Sequence, residues 1–202
     1  MNKKFLDLGY QPLANRYLKK FKKLSIKKGE LYKLGVGFNT KTKLVSLIKK
    51  IPDKKMFDKN YPYRSSMSKT MINSFKKLSI KIKKKFKPKL FLEIGSNDGA
   101  FIKNFSKDKV VCVEPCSNLA KITKRKGYYT YDNYWNFDLA KKIKKKFNYV
   151  DVIYSSNTLT HINDLNGVFK SISLILNKNG VLIIEDPSFL ECIKKVSYDQ
   201  FY

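Results

Sequence analysis

The stretch LFLEIGSNDGAF, residues 90–101, puts an acid at the end of an apolar run. Gly95, Ser96, Asn97, Asp98 and Gly99 follow it in a turn. Glycines at such a turn let backbone and ligand approach closely, and asparagine tolerates the left-handed conformation that a third glycine would otherwise supply. A dinucleotide loop reads G-x-G-x-x-G and offers N–H groups to a pyrophosphate. Here the pattern is G-x-N-x-G, and carboxylates at Glu93 and Asp98 would repel phosphate. The ligand this turn suits carries positive groups and no phosphate.

A further acid narrows the choice. Glu114 closes the run VVCVEP, 21 residues after Glu93, with Pro115 behind it. A carboxylate at the end of the next strand can accept both hydroxyls of a ribose. Together the two segments point to S-adenosyl-L-methionine, a nucleoside with a sulfonium and an ammonium. The plain alternative leaves Glu93 as a helix cap and Glu114 as a surface acid. Asp132, after the third strand-like run, is a candidate for the adenine amine. Asn157, after the fourth, is a candidate hydrogen-bonding group on the cofactor side. Trp135 reads as core.

These residues need a frame, and the chain after Pro88 alternates regularly. LFLEIG, VVCVEP, YYTY, VDVIYSSN and GVLIIEDP read as strands. DGAFIKNFSK, SNLAKITKRKG, NFDLAKKIKKKF and DLNGVFKSISLILN read as helices. Runs that are apolar throughout belong in a parallel sheet covered on both faces, and right-handed crossovers then give a doubly wound α/β domain. Before it, Met67, Met71, Phe75, Leu78, Ile82 and Phe86 recur at helical spacing until Pro88. ELYKLGVGF and TKLVSLI read as a strand pair. We divide the chain into an N-terminal lobe at 1–60, a linking helical segment at 61–88 and the α/β domain at 89–202. With five strands expected, the last would be an apolar edge, to be covered by a partner chain or by further sequence.

The net charge of +27 invites a nucleic-acid reading. Arginine, however, occurs only at Arg16, Arg64 and Arg125 among 43 basic residues, whereas phosphate and base recognition favour its bidentate fork. The lysine clusters fall on the outer faces of amphipathic helices, so we expect solvated surfaces and no specific nucleic-acid partner. No apolar run approaches a membrane span and the start lacks a secretory h-region. A cytoplasmic protein with no membrane association is expected. Cys112, Cys116 and Cys192 show no paired spacing and read as reduced thiols.

The motifs in order resemble a known family, the SAM-dependent sugar C-methyltransferases that act on nucleotide-linked keto-deoxysugars. DLGYQPLANRYL (7–18) is similar to its N-terminal signature and YPYRSSMS (61–68) to its Tyr-x-Ser-Ser segment. LEIGSNDG (92–99) is similar to its cofactor loop and VEPCSNLA (113–120) to its ribose-binding strand end. SSNTLTHINDL (155–165) resembles its Asn…His-x-x-Asp-Leu stretch, and SYDQFY (197–202) the start of its Phe-Asp-x-x-Tyr-x-Glu-His motif. The resemblance implies a class I, Rossmann-like methyltransferase sheet, incomplete at its carboxyl end, and a nucleotide-sugar substrate. It implies catalytic roles for His161, Tyr63 and Tyr202: proton transfer, or a hydrogen bond to an enolate oxygen. His161, the only histidine, could instead cap the helix that follows. The family's N-terminal zinc site would fall partly on Asn39 and Thr42, which keep the spacing without the thiolates, so no metal is expected. The chain ends before the Glu-His pair. A cofactor-binding module without turnover and a basic RNA methyltransferase are the competing readings.

Overall fold

Phe91–Ile94 (β4), Val110–Val113 (β5), Tyr129–Tyr131 (β6), Val150–Ser156 (β7) and Leu176–Glu185 (β8) make one five-stranded sheet. Its order is β6-β5-β4-β7-β8, parallel throughout. β4 and β5 are buried on both faces, as the unbroken apolar runs require. The structure, a computed structural model, describes residues 2–15 and 31–197. The chain divides into two units, Phe57–Asp186 and Met1–Met56 with Pro187–Tyr202.

In the larger unit the covering helices are Lys69–Phe86 (α2), Ser117–Arg125 (α3), Phe137–Phe147 (α4) and Leu165–Ile175 (α5). Leu139, Ala140 and Ile143 of α4 join Val168, Ile172 and Ile175 of α5 in one core with Leu92, Ile94, Val111, Val113 and Ile153. On the other face Phe75 and Ile82 of α2 pack with Phe91, Val110, Cys112, Val152 and Tyr154. α3 joins that face through Thr123, whose hydroxyl accepts from Thr130 of β6 at 2.9 Å. Each large apolar side chain buried this way contributes about 1.5–3 kcal/mol. The lysines of α2 at 76, 77, 81 and 83–85 are exposed, so the amphipathic reading holds there. Trp135 is buried in the α4–α5 core, with its ring N–H on the carbonyl of Val168.

Two local expectations fail. DGAFIKNFSK is not a helix: it forms single 3₁₀ turns at Ile102–Asn104 and Lys107–Lys109. The side-chain amide of Asn104 donates to the carbonyl of Phe101 at 2.8 Å, competing for an acceptor that a helix would use. Phe101 and Ile102 are buried while Phe105 stacks on Phe91 at 4.4 Å; apolar burial on the sheet overrides the helical pattern. Met67 likewise lies outside α2 and is 81% exposed. Ser68 starts that helix by accepting from the N–H of Met71, an ordinary N-cap.

The other unit holds an antiparallel sheet of Asn2–Pro12 (β1), Leu31–Asn39 (β2) and Val45–Leu47 (β3). The expected strand pair is β2–β3. β1 was not anticipated, because register shifts at Lys4/Leu6 and Asp7/Tyr10 break its alternation. At the β2–β3 turn the side-chain oxygen of Asn39 accepts from the N–H groups of Lys41 and Thr42 at 3.0 Å each. Two short helices, Asp53–Met56 (α1) and Phe189–Lys195 (α6), belong to the same unit. No described helix is long and apolar enough to cross a membrane.

Candidate active site

Connections from β4 lead to one side of the sheet and those from β7 to the other, so a crevice opens outside their carboxyl ends. The loop after β4 is built for a tight reversal: Gly95, Asn97 and Gly99 have φ of +78°, +49° and +83°. The N–H groups of Gly95 and Ser96 both donate to the carbonyl of Val113, at 2.8 and 3.1 Å. The glycines also make room for the chain itself. A Cβ at Gly95 would lie 2.2 Å from the hydroxyl oxygen of Thr158, and one at Gly99 would lie 3.0 Å from Thr123.

Three carboxyl groups gather at this turn, and all are buried: Glu93, Asp98 and Glu114 are 4%, 3% and 4% exposed. Burial pushes Glu93 well above the usual carboxylate range, and the charges of Glu114 and Asp98 add to the effect. Its Oε2 is buried without a hydrogen-bond partner. Glu114 is raised by burial too, against the pull of the N–H groups of Cys116 and Asn97, each 2.8 Å from a carboxylate oxygen. The charge of Asp132 adds to that rise; its carboxylate lies 4.0 Å from the ammonium of Lys124. Pro115 is half-buried next to Glu114, and Ser96 is buried.

Asp98 and Asn97 are engaged differently. Asp98 accepts from the backbone N–H and the hydroxyl of Ser66. The side chain of Asn97 accepts from the N–H of Ser65 at 2.9 Å and donates to the carbonyl of Tyr63 at 3.3 Å. Farther along the same segment, Asn118 at the start of α3 donates to the carbonyl of Tyr61 at 2.8 Å. Tyr134, after β6, donates to the carbonyl of Phe57 at 2.6 Å. The ring of Phe57 meets that of His161, after β7, at 5.5 Å. Residues 57–66 are thus tied to loops following four successive strands, and form a strap along the carboxyl edge.

His161 ends the 3₁₀ turn Leu159–His161, with its N–H on the carbonyl of Thr158. Burial lowers its pKa, so the imidazole is neutral near pH 7. Asp164, and not His161, caps α5, by accepting from the N–H of Gly167. Asn157, at φ +49°, is exposed and donates its N–H to the carbonyl of Glu185 at 2.7 Å. Tyr63 is 39% exposed and its hydroxyl meets the sulfur of Met71 at 3.1 Å. Tyr202 lies outside the described residues.

Four features of this edge escaped the sequence reading: Phe57, Asn118, Tyr134 and Asp186. Asp186 follows β8, accepts from the hydroxyl of Thr160 and is raised by burial. Its place at a strand's carboxyl end was a usable signal. Phe57 and Tyr134 carried none, since their roles depend on distant partners. The Glu93 Oε2, the Ser96 hydroxyl and the Asn118 Oδ1 are buried without a hydrogen-bond partner, the first near the end of β4, the second in the turn after it and the third at the start of α3. They fit a ligand rich in donors and positive charge, and they do not fit a pyrophosphate. Among the described residues no cluster of His, Cys, Asp or Glu is set to hold a metal ion.

Residues 63–198 match the methyltransferase-domain family. Over 115 residues the chain is 27% identical to the C-methyltransferase NovU of Streptomyces niveus. That stretch covers 56% of this chain and 27% of NovU, so the match spans well under a third of the relative's length. Among solved structures, DesVI of Streptomyces venezuelae aligns over 59% of this chain and 52% of its own, at 14% identity and a TM-score of 0.46. The plantazolicin methyltransferase BpumL, solved with SAH, aligns over 64% and 51%, at 12% identity and the same TM-score of 0.46.

Proposed function

The chain belongs to the methyltransferase-domain family, and from that premise we propose that it binds S-adenosyl-L-methionine at the carboxyl edge of β4, β5 and β7 and methylates a carbon beside the ketone of a nucleotide-linked keto-deoxysugar. The observation that carries the cofactor assignment is the dry, unpartnered oxygen of Glu93 at the mouth of the glycine turn. An acid held so is costly unless a donor or a positive group meets it.

Glu93, Gly95, Ser96, Asn97 and Gly99 would hold the amino-acid end, Glu114 with Pro115 the ribose, and Asp132 the adenine amine, with Asn157 on the side of the reacting methyl. When bound, the cofactor supplies an electrophilic methyl group. The protein must remove the α-proton of the sugar, stabilise the resulting enolate and hold it in line. His161, neutral through burial, can take the proton. Tyr63 reaches an enolate oxygen only by leaving Met71. The sugar assignment is supported by the ordered motifs and by the 27% identity to NovU, itself a C-methyltransferase.

Calorimetry with S-adenosylmethionine, its demethylated product and a nicotinamide dinucleotide tests the first part. Heat is expected with the first two and not the third; the reverse would overturn the assignment. For the second part, nucleotide-linked keto-deoxysugars are incubated in deuterated water with the cofactor. Exchange at the α-carbon and a mass gain of one methyl are expected, and both are lost in H161N while product binding persists. Binding without exchange would leave a cofactor-binding module. Methyl transfer to RNA instead of sugar would replace the substrate.

A further inference from the structure

We propose that Phe57 and Tyr61, carried on the strap, form an aromatic wall for the positively charged sulfur of the cofactor; the inference rests on the cofactor reading above. The rings of Phe57 and Tyr61 are 5.5 Å apart, and Phe57 is 5.5 Å from the ring of His161. Tyr61, Phe57 and His161 therefore form a row, with Phe57 in the middle and His161, after β7, at one end. All three side chains are partly accessible, so they still present surface.

The strap holds the first two rings in place. The carbonyl of Phe57 is bound by Tyr134 and that of Tyr61 by Asn118, so the backbone that carries each ring is held in place. A nucleoside anchored by its ribose at Glu114, after β5, and passing the Gly95 turn after β4, extends toward the loop that carries His161. Its cationic centre then comes to the Tyr61–Phe57–His161 row. Aromatic faces attract an onium ion through the ring quadrupole, and more strongly where water is excluded. The neutral thioether left after methyl transfer gains nothing from this, so such a wall would favour substrate cofactor over product.

That difference supplies the test, and its readout is affinity, not turnover. Dissociation constants for S-adenosylmethionine and for its demethylated product are measured by calorimetry on wild type, F57L, Y61L, F57W and Y61F. In the leucine variants the affinity for the sulfonium form should fall about 3- to 30-fold relative to that for the thioether. F57W and Y61F, which keep a ring, should retain the wild-type ratio. Equal losses for both ligands, or no change in the ratio, would reject the wall while leaving the cofactor assignment intact. Circular dichroism checks folding; should a leucine variant unfold, F57M or Y61M takes its place with the same expected fall, and an unchanged ratio in that folded variant rejects the wall. Wild type that binds neither ligand overturns the cofactor reading and the wall with it.

Discussion

Asp151 and Glu93 sit on neighbouring strands of one sheet, β7 and β4, near opposite edges. Asp151 accepts from the backbone N–H groups of Lys89 and Leu90, at 2.8 and 3.0 Å, and from the side chain of Asn177 at 3.0 Å. Burial pushes its pKa up, but those hydrogen bonds outweigh it and hold the group below its ordinary value. Glu93 has an oxygen with no partner and is pushed the other way, by burial and by two neighbouring acids. The amino edge of the sheet is closed by its own chain, whereas the carboxyl edge keeps acceptors in reserve. A satisfied acid is part of the fold; a buried and unsatisfied one marks where a ligand completes it.

The largest expected effect sharpens the carboxyl-edge half of this contrast. G95A places a methyl against Thr158 in a backbone conformation that L residues avoid. It should destabilise the protein by about 2–4 kcal/mol and abolish cofactor binding. T158A on that background should restore part of the stability, as read by thermal unfolding. Next is D151A, which leaves two backbone donors at the start of β4 without their acceptor. About 1–2 kcal/mol of stability should be lost with cofactor affinity unchanged. A loss of affinity there would break the contrast.

The smallest effect on stability, and the sharpest test of the comparison, is E93Q. It should weaken cofactor binding about tenfold or more while leaving the unfolding midpoint near that of wild type at pH 5. The pH dependence should then separate the two acids. The folded-state pKa of Glu93 is raised, so its contribution declines as pH rises from the ordinary value of 4.5. The midpoint of E93Q minus that of wild type should therefore grow with pH. Asp151 is lowered, so its contribution is present above its unfolded pKa and is lost as pH falls through the folded value. The deficit of D151N should shrink toward acid. Parallel slopes for the two variants would refute the distinction.

Much of the frame was legible along the chain. The parallel strands announced themselves as apolar runs and the glycine turn by its residues, because strand burial and positive φ are dictated within a few positions. Asn97 indeed adopts the left-handed conformation its type allows. The helix expected after Gly99 failed for a non-local reason, since Phe101, Ile102 and Phe105 are drawn to the sheet at the expense of helical pairing. Glu93 and Glu114 could be picked out as acids near strand ends. That one carries an unmet acceptor while the other is held by two N–H groups could not.

The amino-acid order alone determined which segments become strands, where the chain reverses and which acids stand at the reversal, all through interactions between near neighbours. Folding decided what the strap does. Ser66 meets Asp98 across 32 residues, Asn118 meets Tyr61 across 57, and Tyr134 meets Phe57 across 77. Contacts at such separations leave no periodic trace in the chain. They exist because the crossovers bring the ends of four strands to one edge, where a short segment can bond to all of them.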